Sequence, residues 1–305
     1  MKLSIIGGAG TLGAAVAFRL CQNKQVNELC LIDVNEPLLM NHIMDLQNAY
    51  PEKTIYKGSY EDLTGSSIVI ITAGVPNRND VKSRTEFLEG NIMLFNEFGK
   101  YIKKYSESAF IITASNPVDV LNYYLYREFG FKKSQLLGYT VNDSRRLEHS
   151  IRKVMSISEE KDVFSPVIGE HGNTQVPLFS LTQVNGKPFS IDADKQIAIR
   201  EEITNWFIDF NRLNINRTTG WATASGIGKI IDGITNEEKI ETVGSAILEG
   251  EYGINDISIG VPVSISLNGI ESIQDWKLSN EELKHFRQSA ETIRHLIEPY
   301  ILKEV

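Results

Sequence analysis

A glycine-rich turn near the amino terminus constrains the fold of this chain more than any other feature. Gly8, Gly10 and Gly13 form a G-x-G-x-x-G pattern. The pattern follows the apolar run 3–6 directly and precedes the helical stretch 14–22. In that context the first glycine permits a tight turn, the second lets a pyrophosphate approach the backbone, and the third allows close helix–strand packing. The N–H groups that open the helix attract the anion. The sequence therefore predicts a strand–turn–helix unit that binds a dinucleotide.

An acidic residue that suits such a unit lies twenty residues beyond Gly13. Asp33 ends the second apolar run, where its carboxylate would accept hydrogen bonds from the adenosine ribose hydroxyls. The same charge would repel a 2′-phosphate, and residues 34–36 include no arginine. The pattern therefore favours NAD over NADP. The alternative is a glycine turn and a surface aspartate that bind no ligand.

Short β-branched runs alternate with helical segments over the first half of the chain. This alternation is typical of a doubly wound parallel sheet, and we predict a Rossmann NAD-binding domain over residues 1–141. Residues 84–105 and 116–129 have the apolar spacing of crossover helices. The predicted strands are 3–6, 29–32, 68–72, 110–113 and 136–139.

A different pattern begins after about residue 142. The apolar, β-branched segment 177–191 surrounds Asn185 and Gly186, a dipeptide that favours a type I′ hairpin turn. We therefore predict an α/β protein with a second domain, residues 142–305, that contains antiparallel strands. Its further predicted elements are helices over 143–155, 193–213 and 237–249, a strand over 257–267 and a last helix opened by the capping box of Ser279 and Glu282.

Composition limits the partners and the compartment. The 305 residues include 31 Lys and Arg against 39 Asp and Glu, a net charge of −8, with no long basic run for nucleic acid or a membrane surface. No apolar stretch approaches the roughly 18 residues of a membrane span, and the amino terminus does not read as a secretion signal. Cys21 and Cys30 lack C-x-x-C spacing, so we expect neither a disulfide nor a metal site. We expect a cytoplasmic protein that acts on a small molecule.

Four further segments carry a family resemblance. They are ITAGVP, TASNPVDVL, VNDSRR and IGEHGNTQVP, which begin at residues 71, 113, 141 and 168. With the glycine turn and the terminal GVPVSISLNGIESI stretch, they resemble the L-lactate/malate dehydrogenase family over nearly the whole chain, and most of all its lactate-dehydrogenase-like malate dehydrogenases. The resemblance implies that the Rossmann domain is followed by an α+β catalytic domain with antiparallel strands. It also implies a homodimer or homotetramer that exchanges hydride between NAD and a 2-hydroxy acid. The cofactor contacts that it implies are Gly8, Gly10, Thr11, Leu12, Gly13, Asp33, Thr72, Ala73, Gly74, Asn91 and Asn116.

Oxidation of a secondary alcohol requires a base for the hydroxyl proton, and an imidazole has a suitable pKa. His171 is our candidate, in a flexible turn at 169–172 between apolar segments; the other histidines lie in charged helical patterns. The resemblance implies that Asp143 fixes the tautomer of this imidazole, although a helix N-cap is an equally ordinary role for Asp143. Arg146 is three residues further along the same helical face, where it can bind the substrate C1 carboxylate bidentately.

The polar segment 75–84 reads as a mobile loop that closes over the cleft. The resemblance implies that Arg84 polarises the substrate carbonyl and that Asn116 adds a hydrogen bond near the same oxygen. It also implies a substrate contact for Thr219.

Substrate choice depends on one residue of this loop. Within the family, a glutamine six positions before the last arginine of the loop suits lactate and an arginine suits malate; here that residue is Arg78. Malate is therefore favoured. The loop lacks the family's Pro-Gly pair and is one residue longer, so Asn77 or Asn79 could occupy the discriminating position instead. The alternatives are an L-lactate dehydrogenase, an L-2-hydroxy-acid dehydrogenase for another 2-keto acid, and a catalytically silent NAD-binding protein.

Overall fold

A central sheet flanked by helices organises the chain. The computed structural model describes residues 1–75, 84–213, 215 and 219–301, and the side chains of residues 84–87, 207 and 211 lie outside this description. Within these ranges no helix is both long and apolar enough to cross a membrane. Cys21 and Cys30 are buried free thiols.

The amino-terminal half contributes the parallel part of the sheet. Its strands are β1 (Lys2–Ile6), β2 (Glu28–Ile32), β3 (Thr54–Lys57), β4 (Ile68–Ile71), β5 (Phe110–Thr113) and β6 (Leu136–Gly138). Its helices are α1 (Thr11–Cys21), α2 (Glu36–Ala49), α3 (Arg84–Tyr105) and α4 (Val118–Phe129). The strand order β3-β2-β1-β4-β5-β6 reverses between β1 and β4. In such sheets ligands bind at the carboxyl ends of the strands beside this reversal, which is where the glycine turn lies. The predicted Rossmann fold is confirmed.

The carboxyl-terminal half adds antiparallel strands to the same sheet. Its helices are α5 (Val141–Val154), α6 (Ala193–Arg212), α7 (Gly220–Thr235) and α8 (Asn280–Ile297). Its strands are β7 (Val163–Phe164), β8 (Val167–Ile168), β9 (Val176–Pro177), β10 (Gln183–Val184), β11 (Lys187–Pro188), β12 (Ile240–Glu249), β13 (Asn255–Ser266) and β14 (Gly269–Ile273). Strand β12 pairs with β6 and extends the sheet to nine strands among the described residues. The sheet thus crosses the predicted domain boundary, which falls in the first turn of α5.

The helix that we predicted over residues 237–249 is wrong, because the segment is strand β12. Six successive residues of β12, 243–248, are buried. A strand covered on both faces has a continuous apolar run, which periodicity cannot distinguish from a buried helix. A side chain at Gly244 would place its Cβ 2.5 Å from Leu137, so the small residues of β12 allow close packing against β6.

Two local predictions in this half are confirmed and one is corrected. Asn185 and Gly186 both have positive φ, 51° and 71°, between the paired strands β10 and β11, as a type I′ hairpin requires. Ser279 caps α8 through its capping box with Glu282. Helix α5 begins at Val141 with its N-cap at Thr140, so Asp143 lies in the first turn and not at the N-cap. The carboxylate of Asp143 is therefore available for contacts outside the helix terminus.

Candidate active site

The glycine turn is held tightly between the ends of β1 and β4. The hydroxyl of Thr72 donates to the carbonyl oxygens of Ile6 and Gly7, at 3.1 Å each. A Cβ at Gly13 would lie 2.0 Å from the Gly7 oxygen, so this position accommodates glycine alone. Gly10 is the N-cap of α1 and has no side chain to bond the first-turn N–H groups. The turn thus presents backbone N–H groups at a helix amino terminus, as a pyrophosphate site requires.

Asp33 lies at the end of β2 beside this turn. Its Oδ2 accepts from the N–H of Ala9 and its Oδ1 from the N–H of Asn35, both at 2.9 Å. The carboxylate is half-buried and lies next to the glycine turn. A dinucleotide whose pyrophosphate binds at the start of α1 would place its adenosine ribose beside this carboxylate. The residues present at this end of the sheet therefore fit NAD.

Asn91 connects the start of the loop after β4 to the segment after β5. Its Oδ1 accepts from the N–H of Val75 at 2.7 Å, and its Nδ2 donates to the carbonyl of Asn116 at 2.8 Å. Asn91 is buried, and these contacts are with the backbone; a contact with the cofactor stays a prediction. Asn116 is exposed and precedes Pro117 through a cis peptide bond. Its side chain is therefore accessible to a ligand at the carboxyl end of β5.

His171, Asp143 and Arg146 lie together in the second half of the chain. His171 Nδ1 is 2.5 Å from Asp143 Oδ2, and Arg146 Nη1 donates to Asp143 Oδ1 at 2.9 Å. The side chains are largely buried, with exposed fractions of 17% for His171 and Arg146 and 7% for Asp143. With Nδ1 engaged by the carboxylate, Nε2 of the imidazole is left to exchange a proton with a substrate.

The charges around the imidazole favour its protonated form. Burial lowers the pKa of His171, but the charge and hydrogen bond of Asp143, with a smaller contribution from Asp119, outweigh burial and raise the pKa above its ordinary value. The positive charge of Arg146 opposes this rise. Burial lowers the pKa of Arg146 itself, and Asp143 counteracts that effect. A buried carboxylate thus supports two cations, one of which can give up its proton.

The turn that carries His171 is not the flexible one that we predicted. Gly169 exchanges two backbone hydrogen bonds with Gly260 of β13, at 2.9 and 3.0 Å. The N–H of the following residue donates to the Ser289 hydroxyl of α8 at 2.7 Å, and the N–H of His171 donates to Asp119 Oδ2 at 2.7 Å. Contacts with three separate elements therefore fix the position of the imidazole.

The sequence analysis did not identify two of the residues at this site. Asp119 of α4 binds the backbone of His171, and the ring of Trp206 on α6 lies 5.0 Å from the guanidinium carbon of Arg146. Asp119 lies in the first turn of α4, within the segment TASNPVDVL that carries part of the family resemblance, and this position could have identified it as a site candidate. Trp206 lies in a helix of mixed polarity, and no local pattern indicates its contact with a residue sixty positions earlier.

Part of the predicted substrate site falls outside the description. Arg78, Asn77 and Asn79 lie outside the described residues. Arg84 is the first residue of α3, but its side chain is also outside the description. Their contacts with a substrate stay predictions.

Thr219 lies on the glycine-turn side of the site. It is the N-cap of α7, and its carbonyl accepts from the hydroxyl of Thr223 at 2.8 Å. The next residue, Gly220, packs so closely on Thr11 that an added Cβ would lie 3.3 Å from it. Thr219 is thus placed beside the start of α1, and its predicted substrate contact stays a prediction.

Two family models match successive parts of the chain. Residues 1–138 match the model described as lactate/malate dehydrogenase, NAD binding domain. Residues 140–303 match the model described as lactate/malate dehydrogenase, alpha/beta C-terminal domain. Together they cover almost the whole sequence.

The individual relatives that match include malate dehydrogenases and L-lactate dehydrogenases. The chain is 31% identical over 298 residues to a malate dehydrogenase of Halobacterium salinarum, with 96% of this chain and 97% of the relative covered. It is 32% identical over 308 residues to an L-lactate dehydrogenase of Acetivibrio thermocellus, with 97% and 96% covered. A crystal structure of lactate dehydrogenase from Eimeria maxima with NADH and oxamate matches with a TM-score of 0.89, 30% identity and coverage of 98% and 93%.

Proposed function

The chain belongs to the lactate/malate dehydrogenase family of NAD-dependent 2-hydroxy-acid dehydrogenases, and from that premise we propose that it interconverts (S)-malate and oxaloacetate. The observation that carries the chemistry is the contact of His171 with Asp143, beside Arg146. The observation that carries the substrate choice is an arginine at position 78 of the sequence.

His171 is the acid and base of the proposed reaction. When the substrate is a hydroxy acid, Nε2 accepts the hydroxyl proton, and the hydrogen bond from Nδ1–H to Asp143 keeps the imidazole in the tautomer that can do so. NAD supplies the acceptor for the hydride that leaves the carbinol carbon. Asp143 stabilises the imidazolium that results, which accords with the raised pKa of His171.

Arginines orient the substrate against this base. The guanidinium of Arg146 has several donors and a planar shape that suits a bidentate bond to the C1 carboxylate, and it lies beside the base because both contact Asp143. Arg84 and Asn116 donate to the substrate oxygen on which negative charge develops in the reduction. The base, the carboxylate anchor and these donors thus fit the parts of a 2-hydroxy acid.

Arg78 favours malate because a smaller substrate would leave its guanidinium without a partner. If the loop closes on pyruvate, the guanidinium loses water without gaining a partner, and stranding a buried charge costs about 3–5 kcal/mol. A preference for oxaloacetate of roughly a hundredfold or more would follow. The second candidate is L-lactate dehydrogenase, which is favoured by the relative of that name at 32% identity.

We expect NADH-dependent reduction of oxaloacetate with a kcat/KM well above that for pyruvate. In Arg78→Gln the ratio of the two kcat/KM values should fall by at least about tenfold, because the far carboxylate loses its partner. Lys82→Gln removes a positive charge from the same loop and should leave the ratio unchanged.

Three other outcomes would redirect the assignment. A higher kcat/KM for pyruvate in the natural chain would make it a lactate dehydrogenase. An unchanged ratio in Arg78→Gln would point to Asn77 or Asn79 as the discriminating residue. Normal NADH binding with no turnover of any 2-keto acid would indicate an NAD-binding protein without catalysis.

Sedimentation of the natural chain tests the proposed homodimer or homotetramer.

A further inference from the structure

A second buried carboxylate contacts the turn of the base. Asp119 lies in the first turn of α4 and is 2% exposed. Its Oδ2 accepts the N–H of His171 at 2.7 Å, although the two residues are 52 positions apart. The proton-transfer scheme above assigns this carboxylate no role. A charged group is costly to bury, so its presence beside the base requires an explanation.

We propose that Asp119 is a positioning residue for His171, fixing the backbone of the base turn from the NAD-binding half of the chain and placing a second negative charge beside the imidazole. The inference rests on the proposed function of His171 as the acid and base. Asp143 would then hold the ring, and Asp119 would hold the peptide to which the ring is attached.

The position of Asp119 connects two parts of the site. Asn116 and Asp119 are three residues apart, on the segment that leads from the end of β5 into α4. This one segment therefore presents Asn116 to the substrate oxygen and Asp119 to the turn of the base. The base and the donor to the substrate oxygen are thus connected through three residues and one hydrogen bond.

The charged groups that face His171 come from two helices and from its own turn. Asp143 and Arg146 face it from α5 and Asp119 from α4, and Glu170 is its neighbour in the turn. Burial raises the pKa of Asp119 to about 6, since the nearby Ser245 hydroxyl, the hydrogen bond from the N–H of His171 and the charge of His171 offset burial only in part. The charge of Asp119 adds to that of Asp143 in raising the pKa of His171.

Asp119→Asn separates the charge from the hydrogen bond, because the amide oxygen can still accept the N–H of His171. Reduction of oxaloacetate requires protonated His171, so the rate falls as the pH rises through the pKa of His171. Loss of the Asp119 charge lowers that pKa, and the fall in kcat/KM should move to lower pH by about one unit. A shift of about one unit is at the lower end of the range of pKa shifts that a neighbouring opposite charge causes. We expect the lower end because Asp119 contacts the backbone of His171 and not its ring.

Asp62→Asn is the matched control, because it makes the same exchange at a partly buried capping box with Ser59, outside the site, and should keep the natural pH profile. Asp119→Glu keeps the charge but displaces the carboxylate, and it should lower the plateau of kcat with little change in the profile. If Asp119→Asn does not fold, Asp119→Ser gives the same readout with a smaller neutral side chain.

An unchanged pH profile in a folded, neutral Asp119 variant would overturn the proposal. In Asp119→Asn, a uniform loss of kcat at every pH without a shift would also overturn it, because a purely structural role predicts that result for a variant that has lost the charge. Failure of the proposed function has a different signature: the natural chain would show no 2-keto-acid reduction, or His171→Asn would retain it.

Discussion

Replacement of His171 by asparagine is expected to lower kcat for oxaloacetate reduction by roughly 10³-fold or more, since the reaction loses its proton donor. Asparagine is smaller than histidine, but its amide keeps a polar group beside Asp143. The Kd for NADH should remain close to that of the natural chain, because the glycine turn and Asp33 lie at the carboxyl ends of β1 and β2 and do not depend on this side chain.

The matched control is His295→Asn, the same exchange at an exposed position of α8. Its kcat and its NADH affinity should equal those of the natural chain. Stopped-flow reduction of oxaloacetate and fluorescence titration of NADH give the two quantities separately. Turnover near the natural rate in His171→Asn would refute the assignment of the base, whatever the substrate proves to be.

Arg146→Lys is expected to lower kcat/KM for oxaloacetate by roughly a hundredfold, although the positive charge is kept. Lysine offers a point charge in place of a planar fork, so one of two charge-assisted hydrogen bonds to the C1 carboxylate is lost, at about 1.5–3 kcal/mol. The guanidinium also lies on the ring of Trp206, 5.0 Å from its centroid, and this packing fixes its plane. Most of the loss should appear in KM, because the carboxylate is bound in both the ground state and the transition state.

Arg145→Lys makes the same exchange one position away. Arg145 is 58% exposed and bonds Glu148 at 2.8 Å, so its replacement should leave both kcat and KM unchanged. Equal effects of the two variants would contradict a specific role for Arg146 in binding the substrate carboxylate.

Strong local signals made much of the fold predictable. The glycine turn, the β-branched runs and the Asn185-Gly186 hairpin depend on short segments whose backbone conformation is decided by their own residues. The i,i+3 spacing of Asp143 and Arg146 likewise predicts a shared helical face, and the two side chains are in contact. Predictions that need only neighbouring residues were therefore the ones that the structure matches most closely.

The features that the sequence analysis did not predict depend on packing between residues that are distant in sequence. Strand β12 was mistaken for a helix because both of its faces are buried, which removes the alternating pattern, and because its neighbour β6 is distant in sequence. The contact of His171 with Asp119 spans 52 residues, and that of Arg146 with Trp206 spans 60. The turn of His171 looked flexible for the same reason, since each of its anchors comes from another element.

The central claim is that His171 and Asp143 act as one unit, and kcat for oxaloacetate reduction by the double variant His171→Asn/Asp143→Asn tests it most directly. Once the imidazole is gone, the carboxylate has no tautomer to fix and no imidazolium to stabilise, so groups that act together show strongly non-additive losses. We predict that the double variant is no slower than His171→Asn alone, although Asp143→Asn by itself is slow. A loss equal to the product of the two single losses would contradict the account, because it would show that the two side chains act independently.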